Sequence, residues 1–273
     1  MDAILIIILL VFGVLFGIIG SVAGVGGGAL HMSLMILLVP IISIYEVSNH
    51  EARDTSSFII FLFSGIASIS YFKQGKVNIK LSLIFAGIAL LGSITATVID
   101  FLFRIDDTVL KIIIASVVLV SGLNMIRKAF NSLKREKFKN NDQEKLFSFD
   151  SFDYNTNLKK GIPLFFLAGF VAYLAGIGGG MLFVPILSII FEMPIFISTA
   201  TSTAMIFFIG TYNASVRMAI GAINYPFGIL IGIGAILGSL YGAKLSKKIR
   251  KPYLQFSVAV ILIGLAIRMY FIP

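Results

Sequence analysis

One short stretch occurs twice in this chain and constrains it more than any other: Ala23-Gly24-Val25-Gly26-Gly27-Gly28 and Ala175-Gly176-Ile177-Gly178-Gly179-Gly180. Four glycines among six residues break a helix. Because both copies lie inside long apolar runs, an unwound backbone within a membrane is the reading that fits. The copies belong to a wider internal repeat. The shift that carries Ala23 onto Ala175 also carries Leu30 onto Leu182. Past a longer loop in the first half, Glu46 falls on Glu192, Thr55-Ser56-Ser57 on Thr201-Ser202-Thr203, Gly75 on Gly221, Asn78 on Asn224, and Leu91-Gly92-Ser93 on Leu237-Gly238-Ser239. Chance apolar similarity does not hold register over such a length, so the chain is a duplicated half.

Composition supplies the solvent. Of 273 residues 58% are hydrophobic and 13% charged, and the mean hydropathy is +1.00, which excludes an ordinary soluble domain. Long apolar runs between short polar loops predict an all-α, polytopic helical membrane protein rather than a barrel. The runs lie near residues 3–20, 29–44, 55–72, 81–103 and 109–126 in the first half. In the second half they lie near 161–175, 180–192, 198–216, 225–243 and 253–271. The domain reading is a first membrane repeat over 1–126, a basic polar linker over 127–160 and a second membrane repeat over 161–273. The second-half legs around the glycines look too short to cross and predict a re-entrant hairpin, whereas the first-half legs are long enough to span.

A hairpin returns the chain to its starting side, so each half makes an odd number of crossings and the halves have inverted topology. The charges agree with a cytoplasmic linker. That side then holds most of the 22 Lys and Arg, in the Lys73 to Lys80 loop, the linker and the Lys244 to Lys251 loop. Arg53, Arg104, Lys111, Arg217 and Arg268 remain outside, together with both termini. The net charge of +9 therefore orients the chain and implies no nucleic acid. The opening Met1-Asp2-Ala3 lacks the basic region of a signal peptide and reads as the start of a retained segment.

The glycines formally match a dinucleotide fingerprint, but that motif needs a soluble strand before it and occurs here twice between membrane runs. Unwound backbone at mid-depth is tolerated where it is buried or lines a wet cavity. The leg after each cluster would aim its N-terminal N–H groups and positive dipole end at the break, and an anion is the natural ligand. The candidate substrate-binding residues are Gly26, Gly27, Gly28, Gly178, Gly179 and Gly180 for their N–H groups. Thr55, Ser56, Ser57, Thr201, Ser202 and Thr203 are candidates as neutral hydroxyl donors, and His31 as a ring one turn past the first break, where the repeat has Phe183. The structural alternatives are a packed hairpin turn, hydroxyls bonded to their own helices and a packing histidine. Arg53 and Arg217 are expected to snorkel outward from helix ends. Gly228-x-x-x-Gly232 and Gly234-x-x-x-Gly238-x-x-x-Gly242 predict close helix packing. No cysteine exists, His50-Glu51-Ala52-Arg53-Asp54 lacks the second His of a zinc-protease helix, and no catalytic constellation, metal site or cofactor is expected.

On Ala23 to Gly28 with its following apolar leg, Ala175 to Pro185, Thr199-Ala200-Thr201-Ser202-Thr203, and Leu237-Gly238-Ser239 with Gly242, the chain resembles the TauE/SafE family of sulfite exporters, the TSUP transporters. The resemblance covers nearly everything except the linker. It implies a secondary transporter, usually in a bacterial plasma membrane, for sulfur-containing anions such as sulfite or sulfonates. His31 and Ser33 stand where the second half has Phe183 and Pro185, which argues against a symmetric site. A non-transporting membrane scaffold or accessory subunit, and an anion channel, are the alternatives. Coupling to protons or another ion, and assembly as a homodimer, are open at this level.

Overall fold

The computed structural model describes residues 3–24, 26–42, 45–103, 106–136, 154–191 and 193–245, with isolated positions between 256 and 270. The described residues are all-helical. Helix α1 spans Ala3–Ala23, α2 Gly28–Leu37, α3 Val39–Ile42, α4 Asn49–Lys73, α5 Ile79–Phe103 and α6 Asp107–Glu136. In the second half α7 spans Tyr154–Ala175, α8 Gly180–Pro185, α9 Ile195–Ala219 and α10 Tyr225–Leu245. Four described helices, α1, α4, α5 and α10, are long and apolar enough to cross a membrane.

Several boundaries depart from the sequence expectation, among them the start of α4, at Asn49 rather than near 55. Helix α6 runs ten residues beyond 126 and α7 begins before 161, because an α-helix continues through polar residues that hydropathy does not count. Residues 137–153 of the expected linker lie outside the described residues, as does most of the last apolar run. The glycine legs are also unequal in a different way from that expected: in both halves the leg before the break is long and the leg after it short. Helix α2 has ten residues and gives way near Pro40, which has no N–H to continue the ladder. Helix α8 has six and then widens at Pro185 into a π-helical turn over Ile186–Ile190.

Small residues set the long-range packing. Helix α1 lies against α10, where a methyl group on Gly238 would fall 2.1 Å from the Val14 carbonyl oxygen and one on Gly17 2.5 Å from that of Ala235. Helix α5 lies against α7 in the same manner: a methyl on Gly92 would fall 2.0 Å from the Phe166 carbonyl oxygen and one on Gly169 1.9 Å from that of Ala89. Backbones this close leave room for no side chain, and the contact adds the Ser93 hydroxyl donating to the Gly169 carbonyl at 3.0 Å. Each half thus lends its first helix to the fourth apolar run of the other: α1 and α7 are repeat counterparts, as are α5 and α10. Between these pairs α4 packs on its own counterpart α9. There Phe61 and Phe207, also counterparts, stack at 6.0 Å.

Candidate functional site

Among the described residues both clusters leave the helix, at Gly24, Gly26 and Gly27 and over Gly176 to Gly179, and they bend in the same way. Gly24, Gly26 and Gly27 have φ of 68°, 81° and 67°, and Gly176, Gly178 and Gly179 have 62°, 74° and 78°. Only glycine takes this left-handed backbone three times in four residues without strain, which is why the motif repeats. Gly27 and Gly179 cap α2 and α8, and neither helix start receives a side-chain cap. Their first N–H groups have no partner within the helix.

The two breaks touch. A methyl on Gly28 would lie 2.8 Å from the carbonyl carbon and oxygen of Ile177. Around this contact each break is lined by the opposite half's counterpart residues. Gly26 faces Ile206 and Gly178 faces Ile60, while Gly24 rests on Thr199 and Gly176 on Arg53. The breaks are therefore held by α4 and α9, whose polar starts meet them.

The hydroxyl clusters serve this scaffold. Ser56 is shared between the Gly176 carbonyl at 2.9 Å and the Gly28 carbonyl at 3.0 Å. Its counterpart Ser202 donates to the Gly24 carbonyl at 3.2 Å. The Gly24 and Gly176 carbonyls lie just past the ends of α1 and α7, where the ladder leaves acceptors open, and these serines donate to them. Ser57 and Thr203 donate back to Arg53 and Thr199 on their own helices. Thr55 accepts the Asn224 N–H at 3.0 Å. Thr201, its counterpart, is fully buried, and its hydroxyl has no partner among the described residues.

His31 is fully buried, and neither ring nitrogen has a partner among the described residues. The ring lies over the left-handed Gly27, with the Phe16 ring 6.1 Å away in an edge arrangement. Phe183 lies over Gly179 in the equivalent way. The same backbone cradle thus carries an apolar ring in one half and a polar one in the other.

The expectation that Arg53 and Arg217 snorkel outward is wrong: each is only 2% exposed. Both find carboxylates in place. Asp54 Oδ1 accepts from Arg53 Nε at 2.8 Å and lies 3.0 Å from Arg217 Nε, and Asp100 Oδ2 accepts from Arg217 Nη1 at 3.3 Å and lies 3.2 Å from Arg53 Nη1. The Arg217 guanidinium also lies 4.2 Å from the centre of the Tyr173 ring. Two guanidiniums and two carboxylates on α4, α5 and α9 close a neutral square beside the second break. Sequence reasoning passed over Asp54, Asp100 and Tyr173. The available signal was two acids at the ends of apolar runs, where an ionisable residue is a site by default.

On the same flank, the loop before α4 is tied to the one before α10. Tyr45 donates to Glu51 at 2.7 Å, and the Asn224 amide donates to the same carboxylate oxygen at 2.7 Å. The bond to that carboxylate pushes the Tyr45 hydroxyl above its usual pKa. Among the described residues no group of three or more His, Cys, Asp or Glu could hold a metal ion.

Similarity to known proteins agrees with this architecture. The model of the family described as sulfite exporter TauE/SafE matches residues 9–269. The chain is 26% identical over 264 residues to a probable membrane transporter protein, YunE, of Bacillus subtilis (strain 168), covering 94% of each chain. It is 26% identical over 267 residues to the probable membrane transporter protein MJ0441 of Methanocaldococcus jannaschii, covering 93% of this chain and 91% of that one. A third relative, the probable membrane transporter protein ORF9 of a Sinorhizobium species, is 26% identical over 263 residues, covering 93% and 87%. No solved structure matches. Broken helices meeting inside an apolar helical bundle, and a family match running almost from end to end, lead to one statement: this multi-pass membrane protein belongs to the TauE/SafE sulfite exporter family.

Proposed function

We propose that the chain is a secondary transporter of small sulfur-containing anions, sulfite or organosulfonates, whose substrate sits where the two glycine breaks meet. The observation that carries this reading is the contact between Gly28 and the Ile177 backbone, which brings two uncapped helix starts from different halves to one place. Two positive dipole ends and a set of N–H groups meet an anion without placing a full charge against it, and weak multi-donor binding lets the ligand leave. In this reading the breaks lie near the bilayer midplane in a bacterial plasma membrane. The buried hydroxyl of Thr201 and the His31 ring lack partners among the described residues, as do the hydroxyls of Ser21 and Tyr173 before the two breaks.

The exchange of helix partners between the halves supports an inverted two-fold arrangement of the 1–126 and 161–273 repeats. With the 127–160 linker cytoplasmic, both termini would lie outside. The test is flux of labelled sulfite, sulfoacetate and other sulfonates into proteoliposomes, with and without a pH gradient. Saturable uptake of at least one of these anions, competed by the unlabelled compound, is expected. A non-saturating conductance would point to a channel instead. Absence of any anion flux in folded, correctly inserted protein would leave the scaffold reading.

A further inference from the structure

The four-charge square breaks the internal symmetry that the helix packing obeys. The counterparts of Arg53, Asp54 and Arg217 in the other half are Thr199, Ala200 and Tyr71. Tyr71 donates its hydroxyl to the Ser21 carbonyl at 2.8 Å, and Ser21 is the counterpart of Tyr173, the residue under Arg217. Fold stability at the equivalent place is thus met by one tyrosine and a neutral hydrogen bond. Four buried charges are a costly way to do the same, since desolvation cancels much of the attraction between them.

The square is also incompletely used. Each carboxylate engages the arginines through a single oxygen, and Arg53 Nη1, Arg217 Nε and Arg217 Nη2 are buried with no hydrogen-bond partner among the described residues, Arg217 Nη2 without even an ion-pair contact. The corners differ in access: the Asp100 side chain is 10% exposed, against 6% for Asp54, 3% for Arg53 and 2% for Arg217. Asp100 lies near the free end of α5, three residues from its last, and the other acid is locked beside Arg53 on α4. On the opposite side the square borders the second break, where a methyl on Gly176 would fall 2.6 Å from Arg53 Cγ. Tyr173 lies under Arg217, and Thr97 and Asn213 lie one turn before Asp100 and Arg217 on their own helices. Tyr212 donates to Thr97 at 3.1 Å, and the Asn213 side-chain oxygen has no partner among the described residues.

We propose that this square is an anion-exchange site, in which a small oxyanion takes the place of the Asp100 carboxylate between Arg53 and Arg217 before reaching the Gly176 break. One oxygen of the oxyanion replaces Asp100 Oδ2 between the two Nη1 groups, and a second accepts from the idle Arg217 Nη2. The exchange keeps the square neutral for a singly charged sulfonate, and it frees Asp100 toward the more exposed side. The fork of Arg217 favours planar, tetrahedral or pyramidal oxyanions over halides, because an oxyanion sets one oxygen opposite each Nη group whereas a halide meets both with a single atom and poorer alignment. Asp100 acts as the resident stand-in for substrate, which keeps the guanidiniums paired when the site is empty. The proposal rests on the transporter reading for its place in a pathway but not for the binding itself.

Binding is read from thermal unfolding of the detergent-purified full chain, titrated with sulfite, methanesulfonate or chloride at constant ionic strength. The wild type is expected to be stabilised saturably by the two oxyanions and less by chloride. Asp100→Asn removes the competing carboxylate and should reach half-saturation at about tenfold lower oxyanion concentration, the size of one charge-assisted hydrogen bond. The double variant Asp100→Asn with Arg217→Gln loses one charge of each sign, stays neutral and should lose the oxyanion response. An unchanged response in the double variant overturns the site, as does an Asp100→Asn variant no tighter than wild type. If Asp100→Asn alone does not fold, the comparison of wild type with the double variant decides. Binding in this pattern without flux in proteoliposomes would count against transport and leave the site standing. Flux without this pattern would do the reverse.

Discussion

Replacing Gly28 by alanine isolates the contact between the two breaks. Gly28 is the first residue of α2 and, unlike Gly27 before it, does not have a positive φ, so alanine brings no backbone strain there. The added methyl would meet Ile60 Cδ1 at 2.4 Å and the Ile177 carbonyl carbon and oxygen at 2.8 Å. These distances fall short of ordinary contact, roughly 3.5–4.0 Å between carbons, by about 1 Å. The Ile60 methyl can turn away, but the Ile177 backbone is fixed by the break itself. Overpacking of this kind costs about 1–3 kcal/mol. If that strain falls on the arrangement that binds substrate, apparent affinity drops by about 5- to 150-fold. Proteoliposome flux and a melting curve on the same preparation separate strain at the site from general unfolding. Gly87→Ala is the control, because a methyl there meets nothing within 4 Å. Adding Ile60→Val to Gly28→Ala removes the Cδ1 clash and should restore part of the flux, never all, since the Ile177 contact persists. Full flux and an unshifted melt for Gly28→Ala would refute the close approach of the breaks. Complete rescue by Ile60→Val would show that the backbone contact carries no cost.

Ser56→Ala withdraws the one hydroxyl shared by the Gly28 and Gly176 carbonyls, leaving the Gly176 carbonyl open at about 1–3 kcal/mol. In a comparison of melting temperatures it should fall further than Ser202→Ala, which withdraws a single 3.2 Å bond. His31→Phe copies the Phe183 arrangement over Gly179 and should melt within about 1.5 kcal/mol of wild type, the range of a tolerated core swap. A change in flux or in its pH profile would then report a role for the ring nitrogens, whereas unchanged flux would reduce His31 to packing. A single cysteine placed at position 140 of this cysteine-free chain should be labelled by membrane-impermeant reagent only after the cells are opened. Labelling from outside intact cells would invert the topology.

What the sequence determined by itself is whatever depends on local composition and on the repeat. An apolar run long enough to cross a bilayer must be helical there, because lipid offers backbone groups no partner. Three left-handed turns in four residues demand glycine, so the breaks at Gly24–Gly27 and Gly176–Gly179 could be read from residue type. The small-residue seam of α10 was legible for the same reason. The repeat register also pairs Ser56 with Ser202 and Ile60 with Ile206.

Only the tertiary structure decided what those residues touch. Three hydroxyls in a row must present one to the bundle interior, but whether it meets a ligand or a carbonyl depends on the neighbour across the gap. For Ser56 and Ser202 the neighbour is the opposite break. Arg53 and Arg217 sit at helix ends, where sequence predicts a side chain reaching for water. They turn inward because Asp54 and Asp100, the latter from a helix whose approach no local pattern encodes, neutralise them in place. Long-range pairing of this kind is set by how helices pack, and packing is decided by contacts between residues far apart in the chain.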